Sequence, residues 1–513
     1  MTFYPRFRRR AAGAALAVAL LASAGCAVAP AGSPGNAPRP GDPAAVGDVP
    51  DELRDYYTQD VDWTDCGEFR CATVEVPLSY DEPDGERIDL SVIMAEADGS
   101  PRGTILINPG GPGGSGYTTV EETLEQVTTD RLRGEYNILG FDPRGVGRST
   151  PIECLTDEEM DEARAESFDP DTEEGLAAAQ ASAAELAAKC AENTGALLGH
   201  VDTGSAARDM DILRALAGDP ELNYLGFSYG TFLGATYAEL FPERVGRLVL
   251  DAGLDPAASN EEITLGQAAG FEQAIRTYVA DCQTGSGCPL PGDVDDGVQT
   301  LADLFAKIEA SPLTAGDGRT VTASMFVSGF ILPLYNDANW PVLTQALSDA
   351  LDGNPDLMLY LSDLSADRNE DGSYETNSTV AFNAINCLDY PMETDPEQMR
   401  EDARELEKAS PTLGSYLGYG GLTCAAWPHE PVGTPHEINA EGAAPILVVG
   451  TTGDPATPYE WSVALAEQLD SGVLLTWEGE GHTAYGRGSD CIADAVDDYF
   501  IDGTVPEDGM VCR

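Results

Sequence analysis

Basic residues are scarce in this sequence. It carries 28 Lys and Arg against 88 Asp and Glu, a formal net charge of -60 at pH 7. A surface this acidic repels phosphate backbones, which argues against nucleic-acid binding and for a solvated, salt-tolerant exterior. Histidine is scarcer still, with only His200, His429, His436 and His482 in 513 residues. No Cys-x-x-Cys pair occurs, so a redox motif or a zinc ribbon has no basis. His429-Glu430 and His436-Glu437 lack the helical spacing of a zinc site, and the nearby prolines forbid it. The apolar run Ala11 to Ala22 is too short to span a bilayer. Asp367 to Gly372 matches the start of an EF-hand loop, but Ser378 stands where the final bidentate Glu belongs, so it reads as a solvated acidic turn. Neither metal nor cofactor is expected.

What is present at the amino terminus is a targeting pattern. Arg6, Arg8, Arg9 and Arg10 precede the apolar run, and Ser23-Ala24-Gly25-Cys26 follows it. Small residues before Cys resemble a bacterial lipobox, with Cys26 lipidated, although Ser23 replaces the usual Leu. The adjacent arginines leave twin-arginine export open. Residues 1–26 are thus expected to be a lipoprotein-type signal. Residues 27–60 are expected to be a flexible tether, since Ala, Pro and Gly dominate as far as about Pro50. Of 11 Cys, ten remain beyond Cys26, an even set that suits disulfides in an exported chain. Proximity favours Cys66–Cys71, Cys154–Cys190, Cys282–Cys288, Cys387–Cys424 and Cys491–Cys512, with connectivity left open.

The hydrophobic pattern sets the fold class. Ala72–Leu78 and Ile88–Met94 read as neighbouring strands. Thr104–Ile107, Asn137–Phe141, Asn223–Phe227, Arg247–Leu250, Pro445–Val449 and Val473–Trp477 are short and apolar, as parallel strands buried on both faces are. Helical patterns such as Ser205–Leu216 and Thr231–Leu240 alternate with them. This predicts an α/β architecture, a doubly wound and mostly parallel sheet. Between Asp255 and Ala425 the alternation gives way to helices, as at Phe271–Asp281, Val298–Ile308 and Trp340–Leu351. The expected division is a core from 61 to 255, a helical lid insertion from 256 to 425, and the rest of the core from 426 to 513.

Gly226-Phe227-Ser228-Tyr229-Gly230 lies between a strand and a helix. Flanking glycines permit the tight turn that exposes a serine hydroxyl at the sheet edge. A hydroxyl attacks only when a base takes its proton. In α/β-hydrolases, whose serine turn this motif resembles, the order is Ser, acid, His, which disfavours His200, while His429 and His436 leave no strand-borne acid ahead of them. His482 follows the strand Val473–Trp477, and Asp454 follows the strand ending at Val449, so Ser228, Asp454 and His482 form the expected triad. The loop Asn108 to Gly116 follows another strand. It lacks the Gly-Lys-Ser/Thr of a phosphate cradle and is expected to supply an oxyanion donor, the N–H of Gly111, beside the N–H of Tyr229.

Taken together these residues resemble a known family, the exported tripeptidyl aminopeptidases of actinobacteria, relatives of the proline iminopeptidases. The resemblance runs from about Val61 to the end. It rests on Trp63-Thr64-Asp65-Cys66 with Cys71 to Val74, the Gly110–Gly116 loop, Gly140 to Ser149, Gly226 to Thr231, Ala384 to Asp389, and Cys424 to Trp427. Proline iminopeptidases usually carry His before the loop glycines, where Pro109 stands here. The resemblance implies cleavage of short peptides from free amino termini, a peptide substrate, and membrane attachment only through a lipid on Cys26. Such recognition calls for carboxylates that bind an ammonium, and Asp251, Asp255 and Asp389 are the candidates. A lipase or esterase with the same triad and a silent surface-binding protein are the rival readings.

Overall fold

The computed structural model describes residues 43–513. The targeting segment, Cys26 and the first part of the expected tether lie outside the described residues. The end of that tether is not a tether. Residues 43–60 contain the short helices Pro43–Val46 and Arg54–Tyr57, and Val46, Val49, Tyr56 and Tyr57 are buried in the main core. The Tyr57 hydroxyl donates to Asp211 at 2.7 Å and Arg214 donates to the Ala45 carbonyl at 2.6 Å. The structured part therefore begins about 18 residues earlier than composition indicates, because two tyrosines offset the Ala/Pro/Gly bias (61 − 43 = 18).

A ten-stranded sheet organises the described chain, with spatial order β1-β2-β3-β5-β4-β6-β7-β10-β11-β12. Its strands are β1 (Thr64–Cys66), β2 (Phe69–Pro77), β3 (Arg87–Ala95), β4 (Thr104–Asn108), β5 (Asn137–Phe141), β6 (Leu222–Phe227), β7 (Val245–Asp251), β10 (Ile446–Gly453), β11 (Gly472–Glu480) and β12 (Met510–Cys512). A two-stranded hairpin, β8 (Leu313–Thr314) with β9 (Thr320–Val321), stands apart. Strands β1 to β3 are antiparallel, and from β5 through β12 every neighbouring pair is parallel. All five residues of β4 are buried, as a strand covered on both faces requires. Two apolar clusters cover the two faces, one built on Leu106, Tyr224 and Leu250, the other on Ile107, Leu225 and Val249. These alternating residues divide between the faces through the period of two.

The stretch from Asn260 to Ala425 is helical apart from the hairpin and has its own core. Phe305 sits at its centre, with ring centroids 5.7 Å from Phe326 and 5.2 Å from Phe330. A separate apolar centre lets this insertion fold as a layer over the sheet edge. A second helical excursion, Asp157–Ala165 and Glu173–Thr194, leaves the core before β6. It grips the insertion: Arg164 donates to Asp363 and to Ser362, and Arg368 forks onto Asp161 at 2.7 Å through two nitrogens.

All five cysteine pairs favoured by proximity are bonded: Cys66–Cys71, Cys154–Cys190, Cys282–Cys288, Cys387–Cys424 and Cys491–Cys512. Five disulfides suit an oxidising compartment outside the cytoplasm. Among the described residues no helix is long and apolar enough to cross a membrane.

Candidate active site

Strand β6 ends at Phe227, and the helix Tyr229–Leu240 begins two residues later. Between them Ser228 has φ 55° and ψ −126°, a conformation that side-chain-bearing residues seldom adopt. The glycines on either side explain how so sharp a turn closes. A Cβ on Gly226 would stand 2.4 Å from the Gly230 carbonyl oxygen, and one on Gly230 would stand 2.8 Å from that of Asn108. The turn is held by Ser228 N–H donating to the Asp251 carbonyl at 2.9 Å, and by Thr231, whose N–H and hydroxyl both reach the Ser228 carbonyl.

Asp454 and His482 leave the neighbouring strands β10 and β11 at the same edge of the sheet. His482 Nδ1 lies 2.9 Å from both oxygens of Asp454. Asp454 is 5 % exposed and also accepts from the N–H groups of Ala456 and Thr457 at 2.9 Å and from the Thr457 hydroxyl at 3.1 Å. With Nδ1 directed at the carboxylate, Nε2 is the nitrogen left for an external proton. The imidazole is held from the insertion as well. His482 N–H donates to the Tyr335 carbonyl at 2.8 Å, and the two rings stand perpendicular with centroids 5.2 Å apart. Phe271 backs Tyr335 at 5.8 Å. On the far side Arg487 donates to the carbonyls of Glu480, His482 and Thr483.

The glycine-rich loop after β4 closes against the serine. Gly110 has φ 97°, and a Cβ there would stand 2.5 Å from the Phe227 carbonyl oxygen, 2.9 Å from Ser228 Cβ and 3.1 Å from Tyr229 N. Only glycine permits this approach. Gly110 N–H donates to Asn108 Oδ1 at 2.9 Å. Tyr229 opens its helix, so its N–H precedes the helical hydrogen-bond ladder. Asp142, at the end of β5, steadies the loop by accepting from Ser115 Oγ at 2.5 Å, Tyr117 N–H at 3.2 Å and Arg148 N–H at 2.8 Å. Burial raises the Asp142 carboxyl above its ordinary range against the pull of these donors. The helix Ser378–Asp389 presses on the loop from the insertion side, so that a Cβ on Gly113 would stand 2.8 Å from the Ser378 carbonyl.

The three carboxylates expected to meet a substrate ammonium are otherwise engaged. Asp251 is fully buried and accepts from the N–H groups of Ala484 and Tyr485, so its placement corrects the expectation of a substrate-facing side chain. Asp255 accepts from Ala257 N–H at 2.9 Å and Gln468 at 2.7 Å, a turn carboxylate. Asp389, 4 % exposed, accepts from the N–H and the hydroxyl of Thr203 at 2.8 and 2.6 Å, and burial pushes its carboxyl up to about 7. The other histidines are apart from this edge. His436 pairs with Glu239 at 2.9 Å, and His429 packs on Gly199. In the EF-hand-like turn Asp367 accepts from Thr376 and Ser378, and no group of residues able to hold a metal ion occurs among the described residues. Sequence reasoning named the segments that hold Asn108, Gly110 and Asp142 without giving these residues roles, and it missed Tyr335 and Arg487. Gly110 had a signal in the glycine-rich pattern, whereas Tyr335 reaches the histidine from a distant segment and the contacts of Arg487 arise only once the loop after β11 has folded.

A family model described as "TAP-like protein" matches residues 410–512. Serine protease Hip1 of Mycobacterium tuberculosis (strain ATCC 25618 / H37Rv) is 38% identical over 476 residues, covering 88% of this chain and 91% of that protein. Carboxylesterase B of the same strain is 36% identical, covering 88% and 89%. Tripeptidyl aminopeptidase of Streptomyces lividans is 30% identical, covering 88% and 86%. With this extent of likeness added to a mostly parallel sheet, a strained serine turn and an imidazole–carboxylate pair at the same edge, the chain belongs to the TAP-like, tripeptidyl-aminopeptidase family of α/β-hydrolases and is a serine hydrolase.

Proposed function

We propose that this protein is an exported serine exopeptidase that releases short peptides, in the first place tripeptides, from free amino termini. The observation that carries the reading is the pairing of His482 Nδ1 with both Asp454 oxygens at the sheet edge that also bears Ser228. Asp454 fixes the tautomer, so His482 Nε2 takes the Ser228 proton as Oγ attacks the scissile carbonyl. The N–H groups of Gly111 and Tyr229 receive the oxyanion, each worth roughly 3–4 kcal/mol of transition-state stabilisation. The imidazolium returns its proton to the leaving amine. Water, deprotonated by the same imidazole, then hydrolyses the acyl-enzyme. The helical insertion is the lid that limits access to this edge, and its own apolar core supports that role.

Release of a short peptide from a free amino terminus is favoured by the likeness to the Streptomyces lividans tripeptidyl aminopeptidase, and peptide cleavage by that to Hip1. The targeting pattern and five disulfides favour export, with a lipid on Cys26 as the anchor. The likeness to carboxylesterase B favours a second reading, ester hydrolysis by the same residues.

One comparison separates these readings. A tripeptide anilide with a free amino terminus, its acetylated twin and a short-chain ester are offered to the enzyme and to Ser228→Ala. Cleavage of the first alone supports the exopeptidase. Equal cleavage of the two anilides removes that claim, and turnover of the ester alone supports an esterase. Residual wild-type turnover in Ser228→Ala removes Ser228 as nucleophile.

A further inference from the structure

Asp251 ends β7, the strand that lies between the serine's strand β6 and the strand β10 that leads to Asp454. Its side chain is fully buried. Both oxygens accept from Ala484 N–H at 3.0 Å, and one accepts from Tyr485 N–H at 2.7 Å. We propose that Asp251 is a positioning residue for His482, holding the backbone of the histidine loop as Asp454 holds the ring. The inference rests on the reading of His482 as the base.

The loop needs such a hold. Gly481 and Thr483, on either side of His482, have φ 96° and 67°, and the threonine conformation is one that a β-branched residue avoids. Strain of this kind persists only where the surroundings over-determine it. Before the imidazole the restraints are Gly481 N–H on the Gly453 carbonyl at 3.0 Å and His482 N–H on the Tyr335 carbonyl at 2.8 Å. After it, Thr483 N–H reaches Asp454 at a long 3.4 Å. The firm restraint on that side is the Asp251 carboxylate, since Arg487 binds carbonyls and leaves the N–H groups without an acceptor. Without Asp251 two buried N–H groups lose their acceptor and Thr483 is free to relax, which carries the imidazole away from Ser228.

The restraint is also sensitive to protons. Burial is the largest influence on Asp251 and the two N–H donors oppose it, so its carboxyl is pushed up to about 6. Of the charged groups around it, His482 favours its anion, Asp454 opposes it, and Arg487 lies near enough to feel its charge. Protonation removes the negative charge that strengthens these bonds and turns one acceptor oxygen into an O–H donor, so the hold weakens. A proton on Asp251 therefore adds a loss of its own to the acidic limb of reactivity.

The test is the rate at which a fluorophosphonate labels the full-length enzyme as pH falls from 8 to 4. In that reaction the Ser228 Oγ–phosphorus bond forms, fluoride leaves and His482 takes the hydroxyl proton, independently of any peptide preference. For the wild type the labelling rate should fall more steeply below about pH 6 than for Asp251→Asn. Asp251→Asn, which has no carboxyl to protonate, should show the shallower fall, and at pH 8 label roughly ten- to a hundredfold more slowly, the loss that a small misplacement of a base brings. A wild-type rate that does not steepen in its fall near pH 6 overturns the proposal even if the variant does not fold. So does a variant with the wild-type rate and profile. Failure of the underlying reading looks different: His482→Ala would then label as fast as the wild type.

Discussion

His482 meets Asp454 edge-on, with Nδ1 equidistant at 2.9 Å from the two carboxylate oxygens, although 28 residues separate them (482 − 454 = 28). One of those oxygens also accepts from two backbone N–H groups, those of Ala456 and Thr457. The carboxylate is thus fixed before the ring arrives, and it dictates which imidazole nitrogen carries the proton. Asp454→Asn keeps the shape but presents an amide that favours the wrong tautomer. It should lower kcat by about 10³–10⁴-fold with an unchanged melting temperature, a loss of the size seen for this substitution in other triads. A fall of less than tenfold would remove Asp454 from the triad.

Gly110 offers a second test. A methyl group there meets the Phe227 carbonyl oxygen at 2.5 Å and Ser228 Cβ at 2.9 Å, on a backbone with φ 97°. Gly110→Ala should therefore displace the loop that presents Gly111 N–H. We expect activity to fall at least about 10²-fold, the effect of losing one oxyanion donor, with a stability loss of roughly 1–3 kcal/mol. Gly134→Ala, where a Cβ meets nothing within 4 Å, is the control.

Asp389 should make stability depend on pH in an unusual direction. Burial raises its carboxyl to about 7, whereas the unfolded chain ionises near the ordinary aspartate value of about 4. Below pH 4 both states are protonated and the contribution is fully present. As pH rises from 4 to 7 the unfolded state releases its proton first, and the contribution is lost. Asp389→Asn should remove this slope, so the variant gains on the wild type between pH 4 and pH 8 by on the order of 4 kcal/mol. Urea unfolding across that range measures it, and parallel curves for the two proteins would refute it.

Arg144 is fully buried and forks onto Asp209 at 2.7 Å through two nitrogens, while its remaining N–H groups reach the carbonyls of Pro77, Leu78 and His200. A lysine cannot reproduce the fork. Arg144→Lys leaves part of a buried carboxylate without a partner and should cost about 3–5 kcal/mol. A melting temperature equal to that of the wild type would contradict the account.

The sheet was legible because its evidence is local. All six strands expected from apolar runs are present, since a parallel strand buried on both faces must be apolar along its length, and the two expected from alternation form the antiparallel pair β2 and β3. The paired cysteines were legible for a similar reason, because every partner lies within 37 residues. The start of the folded part was misplaced, since Tyr57 finds its partner Asp211 in the helix Thr203–Ala217 and Tyr56 finds the Pro83 carbonyl, neither of them nearby in the chain. The order of Ser228, Asp454 and His482 could be inferred from strand ends alone.

Sequence by itself determined the fold class, the three side chains at the strand ends and the glycine loop, because each is written in residues adjacent along the chain. Tertiary structure decided what Asp251, Asp389 and Tyr335 do. Asp251 had seemed available to a substrate, yet the fold turns it onto Ala484 and Tyr485. The partners of a buried carboxylate are set by which distant N–H groups the packing brings to it, and no local pattern encodes that.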